Sequence, residues 1–297
     1  MIDLHAHILP RLDDGAKSLE ESVEMCRVSY RDGVRTIVAT PHILPGVYKN
    51  NRSIILAKTQ ELNEAIKKSG VGSSPACTKR FGEGREFGVQ DSGAFTERPN
   101  NKIDGSTQPP IDASTHSCLD ALTILPGADV HFTPNLLQLC ENGGIVTVNN
   151  DGRYLMVEFD FMNLPYQGEE VLFQLIAHGI TPVITHPERN LEIARTPQRY
   201  YRMIAMGCLG QVTAMSLTGE FGPEVKRVAE RLLAHRLVHF IASDTHSVHG
   251  RPPLLSPAVK EAERTVGREE ARKMVTEYPR ALLEGRRPDV PEPLVLR

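Results

Sequence analysis

Two histidines near the start of the chain, His5 and His7, have the spacing of paired metal ligands. The apolar residues around them predict a strand, in which side chains two residues apart point to the same face. Both imidazoles can therefore bind one ion. Asp13 and Asp14 follow in a turn that Gly15 closes, and imidazole together with carboxylate suits a divalent first-row metal. Some pairs with this spacing are incidental surface histidines, so a metal site also requires ligands at the ends of later strands.

Further histidines and carboxylates do follow at the ends of later predicted strands. The apolar run 34–40 leads directly into Pro41 and His42. Glu158 ends the apolar run LMVEF, where a role in the core explains a carboxylate poorly. The complete set of strand-end candidates is His5, His7, Asp14, His42, Asp129, Glu158, His186, Asp244 and His246.

This set of imidazoles and carboxylates is larger than one ion requires, because a zinc site uses about three or four protein ligands. It predicts two or three ions that share a bridging carboxylate. A cluster of that kind binds a phosphoryl oxygen and activates water near neutral pH. The spacing of ligands therefore points to chemistry on a phosphate ester.

Two arginines follow the same strand ends and are candidates for binding an anion. Arg189 comes three residues after His186, and Arg251 begins the motif R-P-P shortly after the last predicted strand. A guanidinium group offers a planar fork to phosphate oxygens, although an exposed surface role is the alternative for each. His131 and His249 are weaker candidates, the first as a support for the ligands and the second as a loop residue near the site.

Apolar runs and amphipathic segments alternate along the chain and predict about seven β-α units. This α/β order is typical of barrels, which carry their sites at the carboxyl ends of the strands. Ser18 and Glu21 predict a capping box at the start of the first helix. The strand-end candidates are therefore expected to meet at one end of the fold.

The middle of the chain combines short elements with a segment of different composition. Residues 119–132 are expected to contain a strand that Gly127, Ala128 and Asp129 follow, and Thr133 to cap a short helix. Residues 145–150 are expected to form a hairpin or edge strand before an Asn-Asp-Gly turn. Residues from about 71–118 are rich in Gly, Ser, Thr, Pro and Asn, which indicates a long insertion.

Composition excludes several classes of function. A net charge of −3 gives no basic surface for nucleic acid, and no run approaches the roughly 18 apolar residues of a membrane span. The first residues lack the charged and apolar regions of a signal peptide. The five cysteines form no C-x-x-C pair, so we expect a cytoplasmic protein without a disulfide framework.

The motifs H-A-H, A-T-P-H, L-P-G-x-D, T-H-P-E-R, Q-V-T-A, S-D-T-H and R-P-P occur in one order along the chain. In this order they resemble the polymerase and histidinol phosphatase (PHP) superfamily. More narrowly, the chain resembles the CpsB/YwqE-type metal-dependent protein-tyrosine phosphatases of bacteria. The resemblance covers nearly the whole chain except residues about 71–118 and the last ten residues.

The resemblance implies a distorted, TIM-like (β/α) barrel of seven strands. Residues 1–287 would form one catalytic domain, with the insertion inside it and residues 288–297 as a tail. A trinuclear centre is implied, often with manganese, while iron, zinc and magnesium are alternatives. By position, the first ion would be held by His5, His7, Asp129 and Asp244. Asp129 would bridge to a second ion held by Glu158 and His186. The third would be held by Asp14, His42 and His246.

The implied activity is metal-dependent hydrolysis of phosphotyrosine in proteins. Arg189 and Arg251 match positions that bind phosphate in the family, and Asp14, His42 and a metal-bound water are the candidates to assist the leaving phenolate. The implied partner is the phosphorylated tail of a bacterial tyrosine autokinase that regulates capsule or exopolysaccharide synthesis. Homo-oligomers are common among such enzymes as a base rate.

Two departures from the family pattern keep alternatives open. The family usually has glutamate at the position of Asp129, which is one methylene shorter, and the insertion precedes the strand that carries it. One alternative is a small-molecule phosphatase of the histidinol phosphate kind. Another is a catalytically weakened protein that still binds the kinase tail. An exonuclease is disfavoured because no basic groove is evident.

Overall fold

The computed structural model describes residues 1–71 and 121–295. Apart from residue 71, the predicted insertion at about 71–118 lies outside the described residues. Residues 288–295 of the predicted tail form no helix or strand, and the Leu294 N–H donates to the carbonyl of His235 at 2.9 Å.

Short parallel strands form the centre of the described fold. In chain order they are β1 Ile2–Ala6, β2 Thr36–Ala39, β3 His42–Ile43, β4 Thr123–Pro126, β5 Asp129–His131, β6 Tyr154–Glu158, β7 Thr181–Thr185, β8 Leu209–Thr213 and β9 Phe240–Ala242. One sheet has the order β1-β2-β4, and the other has the order β3-β5-β6-β7-β8-β9. Every pair is parallel, which confirms an α/β architecture with parallel sheets.

The strand predicted within residues 119–132 is confirmed as β4, and the same segment also forms β5, which was not predicted. The two strands pair with β2 and β3 and thus belong to different sheets. Pro41, which lacks an N–H group, lies between β2 and β3. Gly127 lies at the matching break between β4 and β5, where a Cβ atom would come within 2.7 Å of Val38 Cγ1. Only glycine allows this close approach.

Backbone contacts join β1 to the segment that follows β9. Ala6 and Thr245 form an isolated parallel bridge. The Asp244 N–H donates to the carbonyl of His5 at 2.9 Å, and the His7 N–H donates to the carbonyl of Thr245 at 2.9 Å. The first strand and the segment after the last strand are therefore in contact, and this brings the H-x-H and D-x-H motifs together.

Helices pack around the sheets. They are α1 Leu19–Arg31, α2 Arg52–Ser69, α3 Leu136–Glu141, α4 Gly168–Ala177, α5 Leu191–Arg195, α6 Gln198–Met206, α7 Ala214–Thr218, α8 Pro223–Ala234, α9 Ser256–Val266, α10 Arg268–Lys273 and α11 Glu277–Leu283. Short 3-10 helices cover Val148–Asn150 and Pro187–Arg189. Of the helices in the described ranges, none has the length and apolar character needed to cross a membrane.

Half of the predicted capping box forms at the start of α1. Ser18 Oγ accepts from the Glu21 N–H at 3.2 Å, whereas the Glu21 carboxylate accepts from the N–H of Lys17 instead. The prediction that Thr133 caps a helix is wrong, because α3 begins after Asn135. Thr133 lies two residues before the N-cap position, and its Oγ1 donates to the Asn135 side chain at 2.6 Å.

The predicted hairpin or edge strand at 145–150 is also wrong. Residues Val148–Asn150 form a 3-10 helix, in which Asn149 and Asn150 have φ angles of 54° and 55°. A strand cannot include two consecutive residues in this left-handed region. Thr147 Oγ1 accepts from the Gly152 N–H at 2.8 Å and stabilises the turn. The local preference of asparagine for positive φ therefore outweighed the preference of the preceding β-branched residues for a strand.

The core lies on both faces of the strands. All residues of β6 are buried, including Leu155, Met156 and Val157, which are fully inaccessible. Burial on both faces is typical of parallel sheets covered by helices. Each such side chain stabilises the fold by about 1.5–3 kcal/mol. This rigid core holds the polar residues that follow the strands.

Candidate metal centre

The nine predicted residues converge on one region. His42 and Asp129 each come three residues after a strand, β2 and β4, and are themselves the first residues of β3 and β5, whereas Asp14 lies in the turn after β1. His5 lies in β1 and His7 directly follows it, and both are fully buried. His5 Nδ1 lies 2.9 Å from Gln211 Oε1, and His7 Nδ1 lies 2.7 Å from Asp13 Oδ2. Both acceptors place a proton on Nδ1. The two Nε2 atoms, 3.0 Å apart, are thus left with lone pairs for a metal ion.

Asp13 and Gly15 bring the acidic turn against β1. The Asp13 carboxylate, besides accepting from His7, accepts from the backbone N–H groups of His42 and Gly15, each at 3.0 Å. A Cβ atom at position 15 would lie 2.1 Å from the carbonyl oxygen of His7, so only glycine permits this approach. Asp13 therefore orients a predicted ligand, a role that the sequence analysis missed although it named the turn.

Asp129 is a buried carboxylate with one oxygen that lacks a partner. Oδ1 accepts from Thr185 Oγ1 at 3.2 Å, but Oδ2 has no hydrogen bond within the described part of the chain. Oδ2 instead lies 3.5 Å from His5 Nε2 and 3.5 Å from His42 Nδ1. Burial, followed by the charge of Glu158, raises the pKa of Asp129 to about 7. A buried oxygen directed at imidazole nitrogens fits a bound cation, which would satisfy all of these groups.

Glu158 forms the next part of the cluster at the end of β6. Its Oε2 lies 3.3 Å from His42 Nδ1, and its Oε1 lies 3.4 Å from His186 Nε2. His131 Nδ1 is 3.8 Å from Oε2 and supports the carboxylate from the side. Burial alone would raise the pKa of Glu158, but hydrogen bonds from these imidazoles hold it well below its usual range.

Asp14 and His246 lie at the outer part of the cluster. Asp14 Oδ1 is 3.4 Å from His246 Nε2 and 3.7 Å from His42 Nε2. His246 Nδ1 donates to the carbonyl of Asp244 at 2.9 Å, which directs Nε2 toward Asp14. The hydrogen bond with His246 lowers the pKa of Asp14 to about 2. The Asp14 side chain is 55% exposed and thus borders solvent.

Asp244 connects the histidines to both predicted arginines. Its Oδ1 lies 3.5 Å from His7 Nε2. Its Oδ2 accepts from Arg189 Nη1 at 3.0 Å and from Arg251 Nη2. Burial raises the pKa of Asp244, but His5 and Arg251 outweigh it and keep this pKa well below its usual value.

Two of the candidates have strained backbones. His186 has a φ of 33° and Asp244 a φ of 51°, both in the left-handed region. Such conformations cost about 1–3 kcal/mol each and persist where the surroundings enforce them. Here the strain directs both side chains into the cluster, as expected for a functional site.

Three groups have ligand atoms within 4.8 Å of one another. They are His7 with Asp14, His42 and His246; His5 with His7 and Asp129; and His42 with Asp129 and Glu158. The grouping differs in part from the one that the family resemblance implies. His42 lies with Asp129 and Glu158, whereas His186 is 4.0 Å from Asp129 Oδ2. Imidazole and carboxylate donors in these groups fit first-row divalent ions.

A cavity of about 280 Å³ opens above the cluster. Arg189 and Arg251 line it on one side, and both guanidinium groups lie over the ring of Phe221, 4.8 and 5.7 Å from its centroid. Arg251 Nε is buried without a hydrogen-bond partner in the described ranges. His249, a weaker candidate, does not line this cavity.

Apolar residues that the sequence analysis did not single out form the mouth of this cavity. They are Leu44, Val47, Tyr48, Phe159 and Phe161. Val47 and Phe161 are 63% and 44% exposed, and the Tyr48 ring stacks on His42 at 5.8 Å. Exposed apolar side chains beside a charged site favour a ligand with an apolar part. Their loops carry no periodic signal from which this position could have been predicted.

Gln211 and Glu188 were also missed as supporting residues. Gln211 holds His5, and Glu188 Oε1 accepts from the Thr213 N–H at 3.0 Å and from Ser216 Oγ at 2.6 Å. Glu188 thereby joins the 3-10 helix Pro187–Arg189 to β8 and positions the neighbouring Arg189. The motifs Q-V-T-A and T-H-P-E-R contained both residues and were the available signal.

Comparison with known proteins gives consistent relatives. Tyrosine-protein phosphatase YwqE of Bacillus subtilis (strain 168) is 32% identical over 251 residues, which are 84% of this chain and 79% of the relative. The putative tyrosine-protein phosphatase CapC of Staphylococcus aureus is 30% identical over 257 residues, covering 86% of this chain and 80% of the relative.

A solved structure and a family model agree with these relatives. The structure belongs to a study of YwqE from Bacillus subtilis and CpsB from Streptococcus pneumoniae, described as unique metal-dependent tyrosine phosphatases. It matches with a TM-score of 0.80 and 30% identity and covers 100% of both chains. The family model described as capsular polysaccharide synthesis, CpsB/CapC, matches residues 1–74 and 97–284. The chain therefore belongs to the CpsB/CapC family of capsular polysaccharide synthesis.

Proposed function

We propose that this protein is a metal-dependent phosphatase that hydrolyses phosphotyrosine in proteins. The observation that carries the proposal is the buried Oδ2 of Asp129, which has no hydrogen-bond partner among the described residues and faces imidazole nitrogens below a cavity with two arginines. This arrangement provides cation ligands and anion donors within one cavity. The relatives named tyrosine-protein phosphatase support the same activity.

The metal ligands in this proposal are the nine strand-end residues, His5, His7, Asp14, His42, Asp129, Glu158, His186, Asp244 and His246. They would hold two or three divalent ions, with manganese as the leading candidate. Such ions supply Lewis acidity that activates water and offsets phosphate charge. The ordered Nδ1 hydrogen bonds of His5 and His7 keep their Nε2 atoms available for this role.

Arg189 and Arg251 would bind the equatorial phosphate oxygens. One nitrogen of each guanidinium group donates to Asp244, and this contact fixes the plane of the group. The other donors of each arginine then face the cavity. The unpartnered Nε of Arg251 supports this role, because a buried donor without an acceptor is costly. Positive charge fixed beside the phosphate stabilises the transition state of phosphoryl transfer.

The mouth favours an aromatic leaving group over a polar one. Leu44, Val47 and Phe161 provide apolar surface next to the phosphate site. A phenolate has a pKa of about 10, so the leaving oxygen needs little help from an acid. Asp14 and His42 line the cavity and are the groups proposed to move a proton to it.

We further infer a distorted seven-stranded barrel. In this interpretation β2 with β3 and β4 with β5 each count as one interrupted strand. The bridge between Ala6 and Thr245 supports closure. Residues 1–287 would then form one catalytic domain with the insertion inside it and residues 288–297 as a tail.

The proposed partner is the phosphotyrosine tail of a bacterial tyrosine autokinase that regulates capsule or exopolysaccharide synthesis. Membership of a capsular polysaccharide synthesis family supports this partner. A cytoplasmic location and a homo-oligomeric state complete the proposal, the first supported by the absence of C-x-x-C pairs.

The test measures phosphate release from a phosphotyrosyl peptide and from histidinol phosphate, with manganese and with excess EDTA. We expect manganese-dependent turnover that is faster on the peptide and lost in EDTA. Full activity in EDTA would contradict the metal-dependent mechanism, and preference for histidinol phosphate would favour a small-molecule phosphatase. Tight peptide binding without turnover would favour a weakened binding protein.

A further inference from the structure

The cavity above the candidate metal cluster is called the metal cavity below. A second concave surface, which we call the arginine groove, lies beside it. It runs between α5 and α8 and has a volume of about 390 Å³. Leu191, Val225 and Val228 line it with apolar side chains, and Arg195 and Arg231 are exposed along it. No part of the proposed hydrolysis uses these residues.

The groove is continuous with the metal cavity. Arg189 lines both of them. The Leu191 N–H, from the groove side, donates at 2.8 Å to the carbonyl of Phe161, which belongs to the cavity mouth. An extended chain whose phosphate is bound at Arg189 can therefore continue directly into the groove.

The exposed charge of the groove is positive. Arg195 and Arg231 form no ion pair within the portion of the chain that the structure describes. Arg227 is paired with Glu224, at 2.8 Å between Nη2 and Oε1. The other lining carboxylate, Glu188, is only 1% exposed and is engaged by Ser216. Two guanidinium groups are thus left to bind an external anion, in a protein with a net charge of −3.

We propose that the arginine groove binds acidic side chains that flank the phosphotyrosine in the substrate. The occupant is a peptide segment, because an apolar floor with separated guanidinium groups suits side-chain stems as well as carboxylates. The inference rests on the proposed function, since it assigns that site a preference among phosphotyrosyl sequences.

The experiment measures binding by fluorescence anisotropy on the full chain loaded with manganese. Two labelled peptides carry a non-hydrolysable phosphonate analogue of phosphotyrosine, one flanked on both sides by glutamate and the other by glutamine. We expect the glutamate peptide to bind about three- to tenfold more tightly at low salt, from two exposed charge contacts. The preference should decline in high salt, because these charges are exposed.

Two variants test whether the arginines of the groove cause the preference for the glutamate peptide. Arg195→Gln combined with Arg231→Gln should reduce the ratio of the two affinities to about one. Arg268→Gln, an exposed arginine on α10 that does not line the groove, should keep the wild-type ratio. Because the measure is a ratio within each protein, a general loss of binding cancels.

Equal affinity for both peptides in the wild type would overturn the inference, and so would a preference that survives in the double variant. Turnover of p-nitrophenyl phosphate by the wild type is measured separately. Absence of that turnover contradicts the proposed function. The ratio of the two peptide affinities, by contrast, tests whether the arginine groove binds acidic side chains. The two failures are therefore distinguishable.

Discussion

The floor and the mouth of the metal cavity are built in different ways. At the floor, His5, His7 and Asp129 are completely buried, and hydrogen bonds from the two histidine Nδ1 atoms to Gln211 and Asp13 leave the Nε2 atoms free. At the mouth, Asp14, Val47 and Phe161 are at least 44% exposed and lie in loops.

This difference indicates that the floor and the mouth have different functions. Buried charges are stabilised only when their partners are fixed, so the floor is suited to holding cations in a set geometry. The mouth remains in contact with water, which lets it receive different phosphate esters at little cost to the fold. We therefore expect floor substitutions to change metal content and mouth substitutions to change substrate affinity.

The largest expected effect is that of Asp129→Asn at the floor. Removing the charge of the proposed bridging carboxylate should lower turnover by more than about a hundredfold and reduce the metal content measured by mass spectrometry. In the metal-free protein the same change should raise the melting temperature, because it removes a buried charge near Glu158. Asp151→Asn, in an exposed turn, serves as the control. Unchanged metal content would remove Asp129 from the ligand set.

Asp13→Asn tests whether the floor depends on hydrogen bonds behind the ligands. The variant keeps the shape but weakens the acceptor of the His7 Nδ1 proton. We expect manganese affinity, measured by calorimetry, to fall about ten- to a hundredfold. Metal-saturated protein should regain most of its turnover. An affinity equal to that of the wild type would mean that His7 needs no orientation by Asp13.

Arg251→Lys should have a smaller effect and leave the metal content unchanged. Lysine keeps the charge but loses the planar fork that contacts Asp244 and faces the cavity. We expect kcat/KM for a phosphotyrosyl peptide to fall about tenfold, the equivalent of 1.4 kcal/mol. A matching loss of manganese would show that the variant disturbs the floor. It would contradict the division into a floor that binds metal and a mouth that binds substrate.

The smallest effect is expected for Phe161→Ala at the mouth. It removes apolar surface and the ring that lies 4.6 Å from the Arg189 guanidinium carbon. KM for a phosphotyrosyl peptide should rise about two- to fivefold with little change in kcat, since a stacking contact contributes about 0.5–1 kcal/mol. Phe173→Ala, an exposed residue of α4 away from the cavity, provides the matched control.

The sequence predicted the parallel α/β architecture and the candidate ligands for one physical reason. Parallel strands end at one edge, so polar residues that end successive apolar runs must meet there. His42, Glu158 and His186 could each be identified in this way, and the two histidines lie 3.3 and 3.4 Å from Glu158. Their roles as metal ligands stay predictions, as do the barrel closure and the domain bounds.

Predictions from the local sequence failed where contacts with other residues determined the backbone geometry. The break between β4 and β5 depends on the approach of Gly127 to Val38, which belongs to a strand far away in the chain. Thr133 had the right type for a cap, but α3 begins only after Asn135, two residues later. Positive φ angles at Asn149 and Asn150 replaced the expected strand with a 3-10 helix.

By itself, then, the sequence determined which residues can bind cations and at which edge they gather, because both follow from residue type and strand periodicity. Only the tertiary structure decided which nitrogens of His5 and His7 are free and which oxygen of Asp129 lacks a partner among the described residues. It also decided that an arginine groove adjoins the cavity. These features depend on pairs such as His5 with Gln211, 206 residues apart, which no local spacing encodes.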